Sequence, residues 1–146
     1  MVLFPDKIRT DLTYATPCER SYSFLNRSGL EKFVVVREKL NDWFNCYPEE
    51  EQYELKRRLQ SAKQFNDAFF ELYLHKLFYS FGYQLAVHPH LEHTTKQPDF
   101  LVSKNGEAQF YLEAKVVRDE SDEICIFQPG SSPPFNRKVY HLVIIK

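Results

Sequence analysis

From Ser28 onward, Leu30, Phe33, Val34, Arg37, Leu40, Trp43 and Phe44 fall three and four residues apart, the spacing that lines side chains along one helical face. Ser28, with Glu31 three residues on, supplies a capping-box signal at the start, and the period runs out near Tyr47. Pro48 and the acids Glu49, Glu50 and Glu51 suit a new helix start, where proline loses no hydrogen bond and carboxylates meet the positive end of the dipole. The pattern predicts a second helical region over residues 49–81, broken between residues 61 and 66. Its second half, "FNDAFFELYLHKLFYSFG", is apolar on more than one side, which predicts a helix packed on both flanks. Gly82 is placed to end it.

Beyond residue 83 the period changes from helical to alternating. "YQLAVHPH" begins extended structure, and Phe100 and Val102 alternate with Asp99, Leu101 and Ser103. Phe110, Leu112, Ala114 and Val116 alternate with Gln109, Tyr111, Glu113 and Lys115, the clearest two-residue period in the chain. Asn105-Gly106 is the turn signal between these two strands. The segment "QPGSSPP" breaks any helix after residue 117, and residues 139–145 read as a last strand. Residues 1–26, with Pro5 and Pro17 and no sustained period, read as an irregular lead-in with at most a little strand. Helices followed by a meander predict an α+β (α/β) architecture: N-terminal helices packed on a small mixed sheet. A helical region over residues 1–64 and a core over residues 65–146 would form one compact domain.

Composition narrows this picture. At 146 residues, 43% hydrophobic and 16% aromatic, the chain has enough apolar volume for one core. A net charge of -1 excludes a global field for polyanions, so any contact with nucleic acid must be local. Cys18, Cys46 and Cys125 are odd in number and far apart, which suggests reduced thiols, and no run reaches 18 apolar residues. Both point to a cytoplasmic protein that does not enter a membrane.

The chemistry depends on the register of the hairpin. With a plain two-residue turn at Asn105-Gly106, Asp99 faces Leu112 and the carboxylates of Asp99 and Glu113 fall on opposite faces. With a three-residue loop, Lys104 meets Ala108 and Asp99 lies across from Glu113, with Lys115 two residues along the same face, and a bulge can bring about the same alignment of the acids. Burial favours the aligned register, because it gathers Phe100, Val102, Phe110, Leu112 and Ala114 on one apolar side. Two facing carboxylates repel unless a cation joins them, and Mg²⁺ (or Mn²⁺) takes one or two carboxylates alongside substrate phosphate. Water on such an ion becomes a nucleophile near neutral pH, and the Lys115 ammonium is placed to stabilise charge on an attacked phosphate.

Pro98-Asp99, a gap of 13 residues, then Glu113-Ala114-Lys115 resembles the PD-(D/E)xK signature of the restriction-endonuclease-like nucleases. In that family the hairpin follows a helix bearing an acidic residue, and Glu71 in "FFELYLHKLF" matches that position. The resemblance covers roughly residues 65–117. It implies that Asp99 and Glu113 hold the metal, that Lys115 orients or activates water, and that Glu71 completes a catalytic set of Glu71, Asp99, Glu113 and Lys115. The expected activity is Mg-dependent hydrolysis of phosphodiester bonds in nucleic acid, DNA foremost. The family core follows the order αβββαβ, and "QPGSSPP" falls where its second helix belongs, so the implied core is incomplete at its C-terminal end. A degenerate, non-catalytic module that binds a partner or nucleic acid is the alternative.

Blander readings exist for each residue. Asp99, Glu113 and Lys115 also suit a solvated hairpin face, and Glu71 an exposed helical residue bridging to His75 at i+4. His88, His90 and His93 read as turn residues facing solvent in preference to a zinc site, because Pro89 sits among them and matching Cys or Asp partners are absent. Lys56, Arg57 and Arg58 fan around a helix axis and read as a solvated surface. Tyr111 beside Glu113 reads as a packing residue.

Overall fold

The computed structural model describes residues 1–92, 94–95, 97–117 and 139–145. Their order is α1 (Ser21–Arg27), α2 (Glu31–Asn45), a single 3₁₀ turn (Glu49–Glu51), α3 (Gln52–Gln60), α4 (Phe65–Ser80), β1 (Gln84–Val87), β2 (Phe100–Lys104), β3 (Glu107–Val117) and β4 (Val139–Ile145). The four strands form one sheet in the order β1-β2-β3-β4, antiparallel throughout. The class is α+β as expected, but the sheet is not mixed, because each described strand pairs with its sequence neighbour in the opposite direction.

The long helical region breaks where expected. Residues 61–64 separate α3 from α4, and the Ser61 carbonyl accepts from the Phe65 N–H at 3.0 Å to begin the second helix. Ala68, Phe70, Leu72 and Leu74 of α4 are all buried, which fixes its position: it packs on α2 and α3 on one side and on β1 and β3 on the other. Gly82, at φ +81°, ends it, with the Gly82 and Tyr83 N–H groups donating back to the Tyr79 and Phe78 carbonyls. On the sheet, Phe100, Val102 and Leu112 are wholly buried, and removing such side chains from water stabilises by about 1.5–3 kcal/mol each.

Two local expectations fail. Leu30, not Ser28, caps α2, and no side chain bonds the free N–H groups there; Ser28 Oγ instead accepts from the Leu30 N–H at 3.3 Å inside a tight turn. The lead-in is also more ordered than its pattern implies. Leu3 and Phe4 reach the core, Asn41 bonds both backbone groups of Phe4 (2.8 and 3.0 Å), and Phe4 stacks on Tyr22 of α1 at 5.0 Å. One cluster of buried side chains thereby runs from Leu3 through Phe44 and Leu72 to Leu112. Cys46 is a free thiol. The "QPGSSPP" break and most of the expected second helix of the core lie outside the described residues. Among the described residues no helix is long and apolar enough to cross a membrane.

Candidate metal centre

The hairpin reaches the aligned register by a bulge. Asn105 (φ +54°) and Gly106 (φ +80°) form a two-residue turn with both central residues left-handed, the type whose twist matches paired strands. Lys104 therefore pairs with Glu107, not with Ala108 as a three-residue loop requires. One step on, Ser103 pairs with Ala108 and Val102 with Phe110, so that Gln109 is skipped. From there Phe100 faces Leu112, and the ladder points Asp99 at the Glu113–Ala114 peptide. The Ala114 N–H donates to Asp99 Oδ2 at 2.6 Å.

Glu71 is the buried member of the site. Only 2% of it is exposed, so the bland reading of a surface residue bridging to His75 fails. Its Oε1 accepts from the Tyr47 hydroxyl at 2.5 Å, and its Oε2 pairs with the Arg58 guanidinium. Arg58 thus turns inward from α3 and is not part of a solvated fan, while Arg57 stays at the surface paired with Glu54. A carboxylate in the interior needs such partners, because an unpaired buried charge is strongly disfavoured.

His88 closes the group and was not legible as a ligand from its neighbours in sequence. The turn after β1 holds it at φ +45° just before Pro89, a conformation a non-glycine residue rarely takes. Its backbone N–H donates to the Asp99 carbonyl at 2.9 Å, which ties the turn to the start of β2. Its ring then lies with Nε2 3.8 Å from Glu71 Oε1 and Nδ1 3.4 Å from Glu51 Oε2. Backbone held in a sparsely populated region is often found where a side chain must be aimed.

Glu71, His88 and Asp99 each present one ligand atom, and these atoms lie within 4.8 Å of one another. Burial, only partly opposed by the Ala114 N–H, raises the Asp99 carboxyl above its ordinary pKa, and Glu71 adds to the rise. Burial also pushes the Tyr47 phenol up, helped by Glu71, so Tyr47 remains a donor. For Arg58, burial works against the charge but Glu71 more than offsets it, and the guanidinium stays protonated.

Of the residues singled out from sequence, Glu71 and Asp99 are brought together. Glu113 stands across the ladder from Asp99 and is not a member of the three-ligand group. Lys115 lies 3.5 Å from Glu113 with just over half its side chain in solvent. Two carboxylates and an imidazole make a chemically reasonable seat for a divalent cation, and the nitrogen suits Mn²⁺ or Zn²⁺ better than Mg²⁺. Asp99 Oδ1 has no hydrogen bond among the described residues, whereas both Glu71 oxygens are already engaged. His93 lies outside the described residues, and His90 is not part of the group. No family model, no curated protein and no solved structure matches this chain.

Proposed function

We propose that this chain is a metal-dependent nuclease-like domain that hydrolyses phosphodiester bonds, with DNA as the first substrate to test. The reading rests on one observation: Glu71 from α4 and Asp99, just before β2, converge with His88, while the ladder brings Glu113 across from Asp99 and Lys115 lies 3.5 Å from Glu113. The PD-(D/E)xK resemblance of the sequence supports roles for Glu71 and Asp99, though it implies Glu113, not His88, as the other metal ligand. In this reading Glu71, His88 and Asp99 hold the metal and Glu113 adds negative charge beside it. A bound divalent ion would supply an activated water and neutralise charge building on phosphate. Lys115, on an exposed stem, would meet the phosphate itself.

A second reading is favoured by Arg58. Its guanidinium already neutralises Glu71, and Tyr47 donates to the other Glu71 oxygen, as in a site where internal groups replace the cation. That arrangement suits a non-catalytic module which keeps the buried cluster for stability.

Incubation with plasmid, single-stranded DNA or RNA, in Mg²⁺ or Mn²⁺, separates the two. The nuclease reading expects cleavage that is lost in Asp99→Ala and reduced in Lys115→Ala. Calorimetry with Mn²⁺ should show binding lost in Asp99→Ala. No cleavage and no metal binding by the folded wild type would establish the second reading instead.

A further inference from the structure

A cavity of about 440 Å³ lies between the N-terminal segment and α2, away from the Glu71 group. Lys7, Arg9 and Arg37 line it together with Phe4, Asp6 and Glu38. Its volume falls within the range of small-molecule sites.

The charges are unevenly placed. Arg37 is 94% buried, yet no carboxylate among the described residues lies within ion-pair distance of it. Its Nη1 donates to the Leu25 and Ser28 carbonyls, both at 2.8 Å, while Nε and Nη2 bond to nothing among the described residues and neither atom is sealed from solvent. Arg9 is held by neutral oxygens alone: Nε by the Asn26 carbonyl, Nη1 by the Lys7 carbonyl, and Nη2 by the Pro5 carbonyl and Asn26 Oδ1. These bonds fix the guanidinium without cancelling its charge. The two carboxylates of the lining, Asp6 and Glu38, sit on exposed residues, as does Lys7, so Arg37 is the one buried charge of the lining. Burial depresses the Arg37 pKa and the nearby Arg9 charge adds to that, with Glu38 in partial opposition.

The wall is built, not incidental. Gly29 donates its N–H to the Asp11 carbonyl at 2.7 Å, and a Cβ at this position would lie 2.5 Å from the Arg9 carbonyl oxygen. The segment carrying Arg9 is therefore seated against the turn before α2 as closely as a backbone allows.

We propose that this cavity binds a small organic anion, a phosphate or carboxylate, through the free N–H groups of Arg37 with Arg9 and Lys7 beside it. The guanidinium fork matches either head group in bidentate geometry.

Titration of the intact chain with inorganic phosphate, acetate and adenosine monophosphate, at constant ionic strength set with chloride, tests the site. Saturable binding is expected for at least one of them, by calorimetry and by a rise in melting temperature. Arg37→Gln should weaken it roughly tenfold or more, as loss of charge-assisted bonds does, whereas Arg57→Gln, at a residue that is paired with Glu54 and does not line the cavity, should not. The order among the three probes assigns the head group. Should Arg37→Gln not fold, amide shifts on wild-type protein replace it, and phosphate or acetate must move Gly29 and Asn41. No saturable binding, binding equal in folded Arg37→Gln, or shifts elsewhere only would overturn the proposal.

Discussion

Glu71→Gln separates charge from shape at the centre of the molecule. The amide keeps the volume and one acceptor oxygen, so Tyr47 can still donate, but the Arg58 guanidinium loses its counter-charge. Glu71 is 2% exposed and the Arg58 side chain 18%, so water cannot take over the pairing cheaply. Removing one partner of a buried ion pair costs about 3–5 kcal/mol. For a chain of this length that lowers the melting temperature by roughly 10 °C or more. Urea unfolding followed by circular dichroism at pH 7 measures it, with the double variant Arg58→Met/Glu71→Leu as comparison. The double variant should recover most of the loss, because two packed apolar side chains of similar volume replace the pair, short of about 1 kcal/mol for the Tyr47 hydroxyl left without an acceptor. A Glu71→Gln variant within about 1 kcal/mol of wild type would refute the idea that Arg58 and Glu71 form a tightly coupled interior pair.

Two further outcomes follow from the same interior. His75 is 3% exposed with its Nδ1 unpartnered among the described residues, and burial lowers its pKa from 6.5 to about 4, with Lys76 adding to the effect; the unfolded chain therefore takes up a proton first, and stability should fall as pH drops from 6.5 towards 4, by up to about 3 kcal/mol, a dependence His75→Phe should remove in urea unfolding across that range. Asp99 has the opposite sign: its raised pKa contributes stability at low pH that is lost as pH rises through the folded value, so Asp99→Asn should unfold at equal or higher urea than wild type at pH 7, and a strongly destabilised Asp99→Asn would contradict the burial argument.

The fold was legible where periodicity was sustained. α2, the broken pair α3 and α4, and the strands β2 and β3 all follow directly from apolar spacing, since each buries one consistent set of positions. α1 was not, because seven residues with only Phe24 fully buried leave no period to read. The site divides in the same way. Asp99 and Glu113 align because the alternation of the hairpin constrains them, whereas Glu71 was marked by the PD-(D/E)xK resemblance, which implies an acid on the helix before the hairpin. Arg58 was misread and the neighbours of His88 were missed for one reason: the partners of each come from other elements. Arg58 meets Glu71 thirteen positions away, and His88 meets it across the α4–β1 turn. A run such as "LKRR" on a short helix always turns one side chain towards its neighbour, and an internal glutamate on the next helix was the available clue.

The skipped Gln109 makes the hairpin a length buffer. A chain lacking that residue would form a regular ladder from Lys104–Glu107 onward with the same partners for Phe100 and Val102, and so would still bring Asp99 to Glu113. The spacing between the two acids can therefore change by one without moving either. A search that fixes their separation would pass over relatives in which this single loop-side residue has been lost, although their strands would present the same face.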